Sequence, residues 1–226
     1  MLSKKNGVSG KLSRERPGLI SIHCIAHRLN LGVSSGWKSD IHLRTLNKMI
    51  YSLCKLFKQA PSKLQILKEY QMENMGYTES LVCPIDIRWL TKYKAVERVL
   101  KLYPFVMLAL AKLDKSKDKT ATELLKELKD LKTVGHMKIL TDLYEIIDPI
   151  NNIFQKKNIS IKQLKISYNL AVHSLSHLTL NNNYGPLFES FPEKIVQNNY
   201  KLCGIKLLHN EGDLEFLKKR SNDLQS

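Results

Sequence analysis

The stretch LRTLNKMIYSLCKLFKQA, residues 43–60, predicts an amphipathic helix and, with it, a mainly helical fold. Its large apolar residues recur every three or four positions, so they lie along one side of an α-helix. They are Leu43, Leu46, Ile50, Leu53 and Phe57. We expect this helix to end before Pro61, because a proline inside a helix removes a hydrogen bond and clashes with the preceding turn.

The same spacing recurs further along the chain, so we predict about six helices in all. The later ones lie at about 62–74, 91–110, 124–131, 139–150 and 160–180. We expect Gly76 to end the second helix and Pro104 to kink or divide the third. Residues 181–226 carry short apolar pieces without a sustained period, so we expect a poorly defined, loosely packed tail.

A single strand is predicted near the N-terminus. In the segment GLISIHCIAH, Ile20, Ile22 and Cys24 alternate with polar residues, which is the period of a half-buried strand. The predicted fold class is therefore mainly α, with one short strand before the helices.

The chain is strongly basic. It holds 36 Lys and Arg residues against 21 Asp and Glu residues, a net charge of +15 in 226 residues. The first sixty residues are the most uneven, with eleven basic residues and two acidic ones. Such an excess favours nucleic acid or another polyanion as partner, with an anionic membrane surface or plain solubility as the alternatives.

Hydropathy and cysteine content predict a protein of a reducing, intracellular compartment that does not span a membrane. The longest apolar run, residues 105–111, is far below the roughly 20 residues that a membrane helix needs. The N-terminus lacks an apolar signal region. The four cysteines are scattered and do not indicate a disulfide framework.

Cys24 and His27 form a Cys-x-x-His pair, which could supply half of a tetrahedral zinc site. A second pair with matching spacing is missing from the sequence, and His173 and His177 lack a third ligand nearby. Spacing alone favours the alternative, in which Cys24 is a small buried group and His27 a hydrogen-bonded residue at a helix start. We therefore predict no zinc and no other metal site.

Arg88 and Trp89 form the second pair that could carry a function. An arginine beside an indole can hold a phosphate or carboxylate, and both residue types are common at nucleic-acid surfaces. In the alternative, Trp89 anchors a connector to the core and Arg88 pairs with Asp86. Residue type does not decide between the two.

Catalytic motifs are not evident in the sequence. The acidic residues lie mainly on predicted helices beside basic ones, as in KDKTATELLKELKD at 117–130, which is typical of a solvated helix face. There is no Gly-rich phosphate loop and no nucleophile motif. The sequence therefore favours a binding protein over an enzyme.

Four segments resemble, in the same order, parts of hAT-type (hobo-Activator) DNA transposases and their domesticated descendants. They are KKNGVSGKL (4–12), PGLISIHCIAHRLNL (17–31), IRWLTKYKAVERVL (87–100) and LYEIIDPINNIFQKKNISI (143–161). The similarity is strongest to the zinc-finger-protein-862-like group, some members of which are described as SUMO ligases.

The resemblance implies a ribonuclease-H-like core that is interrupted by a large helical insertion. Residues 1–26 would then be a remnant of the core sheet, 27–180 the insertion, and 181–226 a divergent tail. Cys24 and His27 match the family's Cys-x-x-His. Arg88 and Trp89 match its Arg-Trp element, which lies close to the DNA-cleavage site in active relatives.

The family's three catalytic acidic residues have no counterpart in this sequence. We therefore expect a domesticated or degenerate transposase fragment without strand-transfer activity or cofactor, which binds DNA or protein through a basic helical surface in the nucleus. The candidate cations are Arg28, Arg44, Lys48, Lys55 and Lys58, of which we expect only the last three to share a helix face.

Two alternatives remain at this point. The chain could belong to a SUMO-ligase-like protein or to an active transposase, which would use Mg²⁺ or Mn²⁺ if a complete core lay upstream of Met1. It could also be a degenerate fragment whose unpaired sheet edge needs a partner, or the missing core segment, to cover it.

Overall fold

The computed structural model describes residues 7–16, 18, 25–84, 89–154, 160–180 and 185–225. Within these ranges the chain forms eleven helices and one two-stranded antiparallel hairpin, which confirms the prediction of a mainly α fold. In chain order the elements are α1 (Val8–Glu15), α2 (Ile25–Ser39), α3 (Ile41–Lys58), α4 (Pro61–Met75), α5 (Trp89–Lys101), α6 (Tyr103–Lys115), α7 (Lys119–Lys129), α8 (Leu131–Phe154), α9 (Ile161–Leu180), α10 (Pro186–Gln197), β1 (Lys201–Leu202), β2 (Ile205–Lys206) and α11 (Asp213–Gln225).

Helices α3 and α4 form where the apolar spacing predicts them. The five residues of the predicted stripe are buried on α3. Pro61 is the first residue of α4, where a missing N–H costs nothing because first-turn N–H groups have no helical acceptor. Gly76 ends α4 in the left-handed conformation, with φ of 74°.

Local signals also set the later helix boundaries. Leu102 separates α5 from α6, and Pro104 lies in the first turn of α6, so proline divides the predicted third helix. Ser160 and Gln163 cap the start of α9 reciprocally: Gln163 N donates to Ser160 Oγ at 3.2 Å, and Ser160 N donates to Gln163 Oε1 at 3.3 Å.

Helix α8 is the centre of the structure. It packs against α5, α7, α9, α10 and α11, and most of its first fourteen residues are buried. The neighbouring helices are tied together by side chains as well as by packing. The buried Tyr103 Oη on α6 donates to the carbonyl of Leu128 on α7 at 2.8 Å.

The structure differs from the prediction of a loosely packed C-terminal tail. Residues 185–225 form α10, the hairpin and α11, and they bury large side chains in the common core. These are Phe188, Phe191, Ile195, Leu207 and Leu217. Backbone hydrogen bonds attach the segment to the α7–α8 corner: Leu131 N donates to Leu208 O at 2.9 Å, and Leu208 N donates to Lys129 O at 2.7 Å. The prediction was wrong because packing on α8, rather than a sequence period, stabilises this segment.

The structure describes only part of the N-terminal segment. Residues 8–15 form α1, in a segment for which we predicted no helix. The predicted strand at Ile20, Ile22 and Cys24 lies outside the described residues. The ribonuclease-H-like origin and the division at residues 26 and 180 stay predictions.

None of the helices that the structure describes is both long enough and apolar enough to cross a membrane.

Candidate nucleic-acid interface

Helix α3 is the element that brings most of the predicted cations together. Asp40 caps its start by accepting hydrogen bonds from His42 N at 2.8 Å and Leu43 N at 3.0 Å. At the other end Lys55 and Lys58 lie in the last turn, where positive charge stabilises the helix dipole. This local role accounts for two of the lysines but not for the cations earlier in the helix.

The solvent side of α3 carries a continuous row of exposed residues, which we call the α3 basic face. Its members are Arg44, Lys48, Tyr51, Lys55 and Lys58. They are spaced by four, three, four and three positions, so at about 100° per residue they fall within a sector of about 80°. Arg44 therefore shares the face with the three lysines, and our expectation that only the lysines do so was too narrow.

The charge on this face is uncompensated. Helix α3 contains no acidic residue, and within the described ranges no acidic side chain forms an ion pair with any of its four cations. Four lysines on other described helices form ion pairs; Lys132 Nζ, for example, lies 3.0 Å from Asp213 Oδ1. An unpaired row of cations attracts a polyanion more strongly than a row that is neutralised internally.

Tyr51 lies in the middle of the α3 basic face and is 55% exposed. Lys48 precedes it by three residues and Lys55 follows it by four, so cations flank its ring along the helix. An aromatic ring among cations is the arrangement that stacks on unpaired bases while lysines hold the phosphates. The sequence analysis missed Tyr51, although its spacing from Lys48 and Lys55 already contained the signal.

An open cleft of about 380 Å³ continues from the C-terminal end of the face. Its polar lining consists of Ser52, Lys55, Gln59, Lys63 and Thr120. Lys63 forms an ion pair with Asp118, whose carboxylate also caps α7 by accepting from Ala121 N at 3.0 Å. The hydrogen bond from Lys63 lowers the pKa of Asp118, and the Ala121 N–H lowers it further, so Asp118 is ionised and neutralises Lys63.

The remaining predicted residues do not join this face. His27 and Arg28 are exposed on α2, a different helix that packs against α3. Trp89 is the first residue of α5. Cys24 and Arg88 lie outside the described residues, so both family-motif pairs stay predictions.

The described cysteines Cys54, Cys83 and Cys203 are free thiols. Cys54 is buried and donates to the carbonyl of Val82 at 3.1 Å, which ties α3 to the segment before α5. Burial raises the pKa of the Cys54 thiol, and a hydrogen bond with Cys83 raises it further. Cys54 is therefore a protonated packing residue rather than a nucleophile.

Metal ligands do not cluster in the described part of the chain: no three His, Cys, Asp or Glu residues there come close enough to hold an ion. His173 of the predicted His pair is exposed on α9.

Comparison with known proteins adds no family to this picture. No protein-family model matches the chain, and no solved structure matches it significantly. The resemblance to hAT-type transposases therefore stays a prediction from four sequence segments.

Proposed function

We propose that the protein binds nucleic acid through the α3 basic face, with a preference for single strands. The observation that carries this proposal is the row of four unpaired cations around the exposed Tyr51. The net charge of +15 supports it, because a positive field raises the rate at which a polyanion encounters the protein.

The dimensions of the face suit a short stretch of strand. From Arg44 to Lys58 the helix rises about 21 Å. That length corresponds to about six nucleotides of one strand at its helical rise. Four phosphates can therefore be contacted by the four cations, and the Tyr51 ring can stack on one unpaired base between them.

Binding by phosphate contacts predicts a steep salt dependence without sequence preference. Four contacts to a single strand give a slope of about −2.8 in a plot of log K against log salt concentration. Stacking on Tyr51 should raise the affinity for unpaired bases about tenfold over a protein without this ring, since base–aromatic stacking is worth about 1–3 kcal/mol.

The test is fluorescence anisotropy with a labelled oligothymidine and a labelled duplex over a range of salt concentrations. The double variant Lys48→Gln/Lys55→Gln should flatten the single-strand slope by about 1.4, because two contacts are lost. The matched control is Lys218→Gln/Lys219→Gln, which removes two exposed lysines from α11 and should leave the slope unchanged. A salt-independent affinity, or equal effects of both double variants, would contradict the proposal.

Variants of Tyr51 distinguish the contribution of base stacking to binding from the contribution of charge. Tyr51→Ser should weaken oligothymidine binding about tenfold while the salt slope and the duplex affinity stay constant. Tyr51→Phe keeps the ring and should bind like the wild type. Equal losses for single strand and duplex would show that Tyr51 does not contact bases.

The resemblance to hAT-type transposases supports the same proposal, because a DNA-handling ancestor explains a basic helical surface. On that origin we propose a nuclear protein that binds without cutting. Incubation of supercoiled DNA with the purified chain and Mg²⁺ or Mn²⁺ tests the second part. Nicking that chelation abolishes would indicate an active enzyme instead.

A further inference from the structure

Among the α9 side chains that the structure describes, most of the buried and half-buried ones are small, and five large apolar ones are exposed. The residues that face its neighbours α8 and α11 recur at three- and four-residue spacing and are buried or half-buried. They are Leu164, Ser167, Ala171 and Ser174. Three of these four described side chains are small, so they bury little apolar surface themselves.

The exposed large apolar residues of α9 lie on both sides of this seam. On one flank lie Ile161, Tyr168 and Val172, which are 86%, 58% and 44% exposed. On the other lie Ile166 and Leu170, 49% and 63% exposed. An apolar face this wide is typical of a helix that is covered on more than one side.

The first flank has the spacing of a helix-docking row. Ile161, Lys165, Tyr168 and Val172 stand at i, i+4, i+7 and i+11, so they form one row along the helix. We call these four residues the α9 row. Apolar residues at such intervals are the anchors that a second helix packs against.

Charge indicates what kind of helix fits. Lys165 lies within the α9 row and Lys162 beside it, both exposed, and no acidic residue occurs between 161 and 180. A second copy of α9 would place lysine against lysine with no carboxylate to pair them. A bilayer would meet only two lysines, fewer than the basic face that holds amphipathic helices on anionic lipid.

We propose that the α9 row is a docking surface for an acidic amphipathic helix of a partner protein. The partner's apolar residues pack between Ile161, Tyr168 and Val172, and its Asp or Glu residues lie against Lys162 and Lys165. The apolar contacts supply most of the affinity, and the charges supply orientation and selectivity.

The experiment measures binding of two synthetic peptides by anisotropy. The first is a labelled helical peptide with leucines at i, i+3, i+4 and i+7 and glutamates beside them; the second is its twin with lysines in place of the glutamates. The acidic peptide should bind at least tenfold more tightly than its twin. Tyr168→Asp should abolish binding of both peptides, and circular dichroism should show that it leaves the fold intact, since Tyr168 is exposed.

Two further variants distinguish the effect of charge within the α9 row from the effect of the net charge of the protein. Lys165→Glu should cancel the preference for the acidic peptide, whereas Lys194→Glu, at an exposed position on α10, changes the net charge equally and should preserve it. The proposal is overturned if both variants act alike or if neither peptide binds. It is also overturned if phosphatidylserine vesicles bind the wild type and Tyr168→Asp abolishes that binding. Lys48→Gln/Lys55→Gln should bind the peptide normally, so this result is independent of nucleic-acid binding.

Discussion

The carboxylate of Asp142 on α8 caps the first turn of α10, and Gly185 allows it to come close enough. Asp142 Oδ1 accepts from Leu187 N at 3.0 Å, and Oδ2 accepts from Phe188 N at 2.8 Å. Gly185 is the N-cap residue of α10 and has no side chain to make these bonds. A Cβ atom at position 185 would overlap Cβ and Cγ of Asp142. The cap of α10 is therefore supplied by the central helix, and it holds the C-terminal segment on the core.

The close approach of these residues predicts that Gly185→Ala destabilises the protein. We expect a loss of about 1–3 kcal/mol in the free energy of unfolding, because Asp142 must move and the cap is strained. Urea unfolding followed by circular dichroism measures it. Gly36→Ala, at a position of α2 where an added Cβ meets nothing within 4 Å, is the control and should stabilise by up to about 1 kcal/mol. If Gly185→Ala left the free energy of unfolding unchanged, the contact between Gly185 and Asp142 would not hold α10 in place.

Asp142 also predicts a specific dependence of stability on pH. Burial raises the pKa of Asp142 above its ordinary value, and the two N–H donors only partly oppose this. The folded state thus keeps its proton to higher pH than the unfolded state. The resulting stabilisation of the folded state is complete below the pKa that Asp142 has in the unfolded chain. It is lost as pH rises through the pKa that Asp142 has in the folded protein.

Asp142→Asn removes this titration. Relative to the wild type, the variant should therefore gain stability as pH rises from about 4 upward. The measurement is the difference in free energy of unfolding between the two proteins at several pH values. Glu79→Gln is a control of opposite sign: the hydrogen bond from Lys101 lowers the pKa of Glu79, so this variant should lose stability relative to the wild type as pH rises. A constant difference for Asp142→Asn would mean that its pKa is not raised by folding.

The ion pair of Lys63 with Asp118 predicts a gain of binding in one variant. Asp118→Asn keeps an acceptor for the cap of α7, since asparagine is an equally good N-cap residue, but it frees the charge of Lys63 in the cleft beside Lys55. The single-strand salt slope should become steeper by about 0.7, equivalent to one more phosphate contact. If Asp118→Asn leaves the slope unchanged, nucleic acid does not reach the cleft.

The hydrogen bond from Tyr103 predicts how much stability the protein loses when this hydroxyl group is removed. Tyr103 is 1% exposed, and burial raises the pKa of its phenol. Tyr103→Phe should lower the free energy of unfolding by about 1–3 kcal/mol, because the carbonyl of Leu128 stays buried without its donor. Tyr77→Phe, at a position that is 49% exposed, should change it little. Similar effects of both variants in thermal unfolding would argue against this bond.

The helices were predictable where a signal lies within one or two turns of the boundary that it sets. Pro61, Gly76, Pro104 and the Ser160 cap act on their own or adjacent residues, so α4, α6 and α9 begin or end where the sequence indicates. The apolar row of α3 predicted its buried side for the same reason. Helices α10 and α11 were not predictable, because a distant carboxylate and the surface of α8 stabilise them.

The candidate site was predicted in part. Four of the five candidate cations are exposed on α3, although the sequence analysis expected only the three lysines to share a face. The role of Tyr51 depends on exposure, and tyrosine is intermediate between buried and exposed residue types. The spacing of Tyr51 from Lys48 and Lys55 places it among the cations, and the structure shows that it is 55% exposed.

The sequence by itself determined the helical character of the chain, both ends of α4, the division between α5 and α6, the start of α9 and the excess of positive charge. These properties depend on local backbone preferences, caps and composition, which act without a partner. The tertiary structure alone decided that residues 185–217 join the core, that Asp142 caps α10, and that the α9 row faces solvent. Those outcomes depend on which surfaces meet, and burial is a property of two segments rather than one.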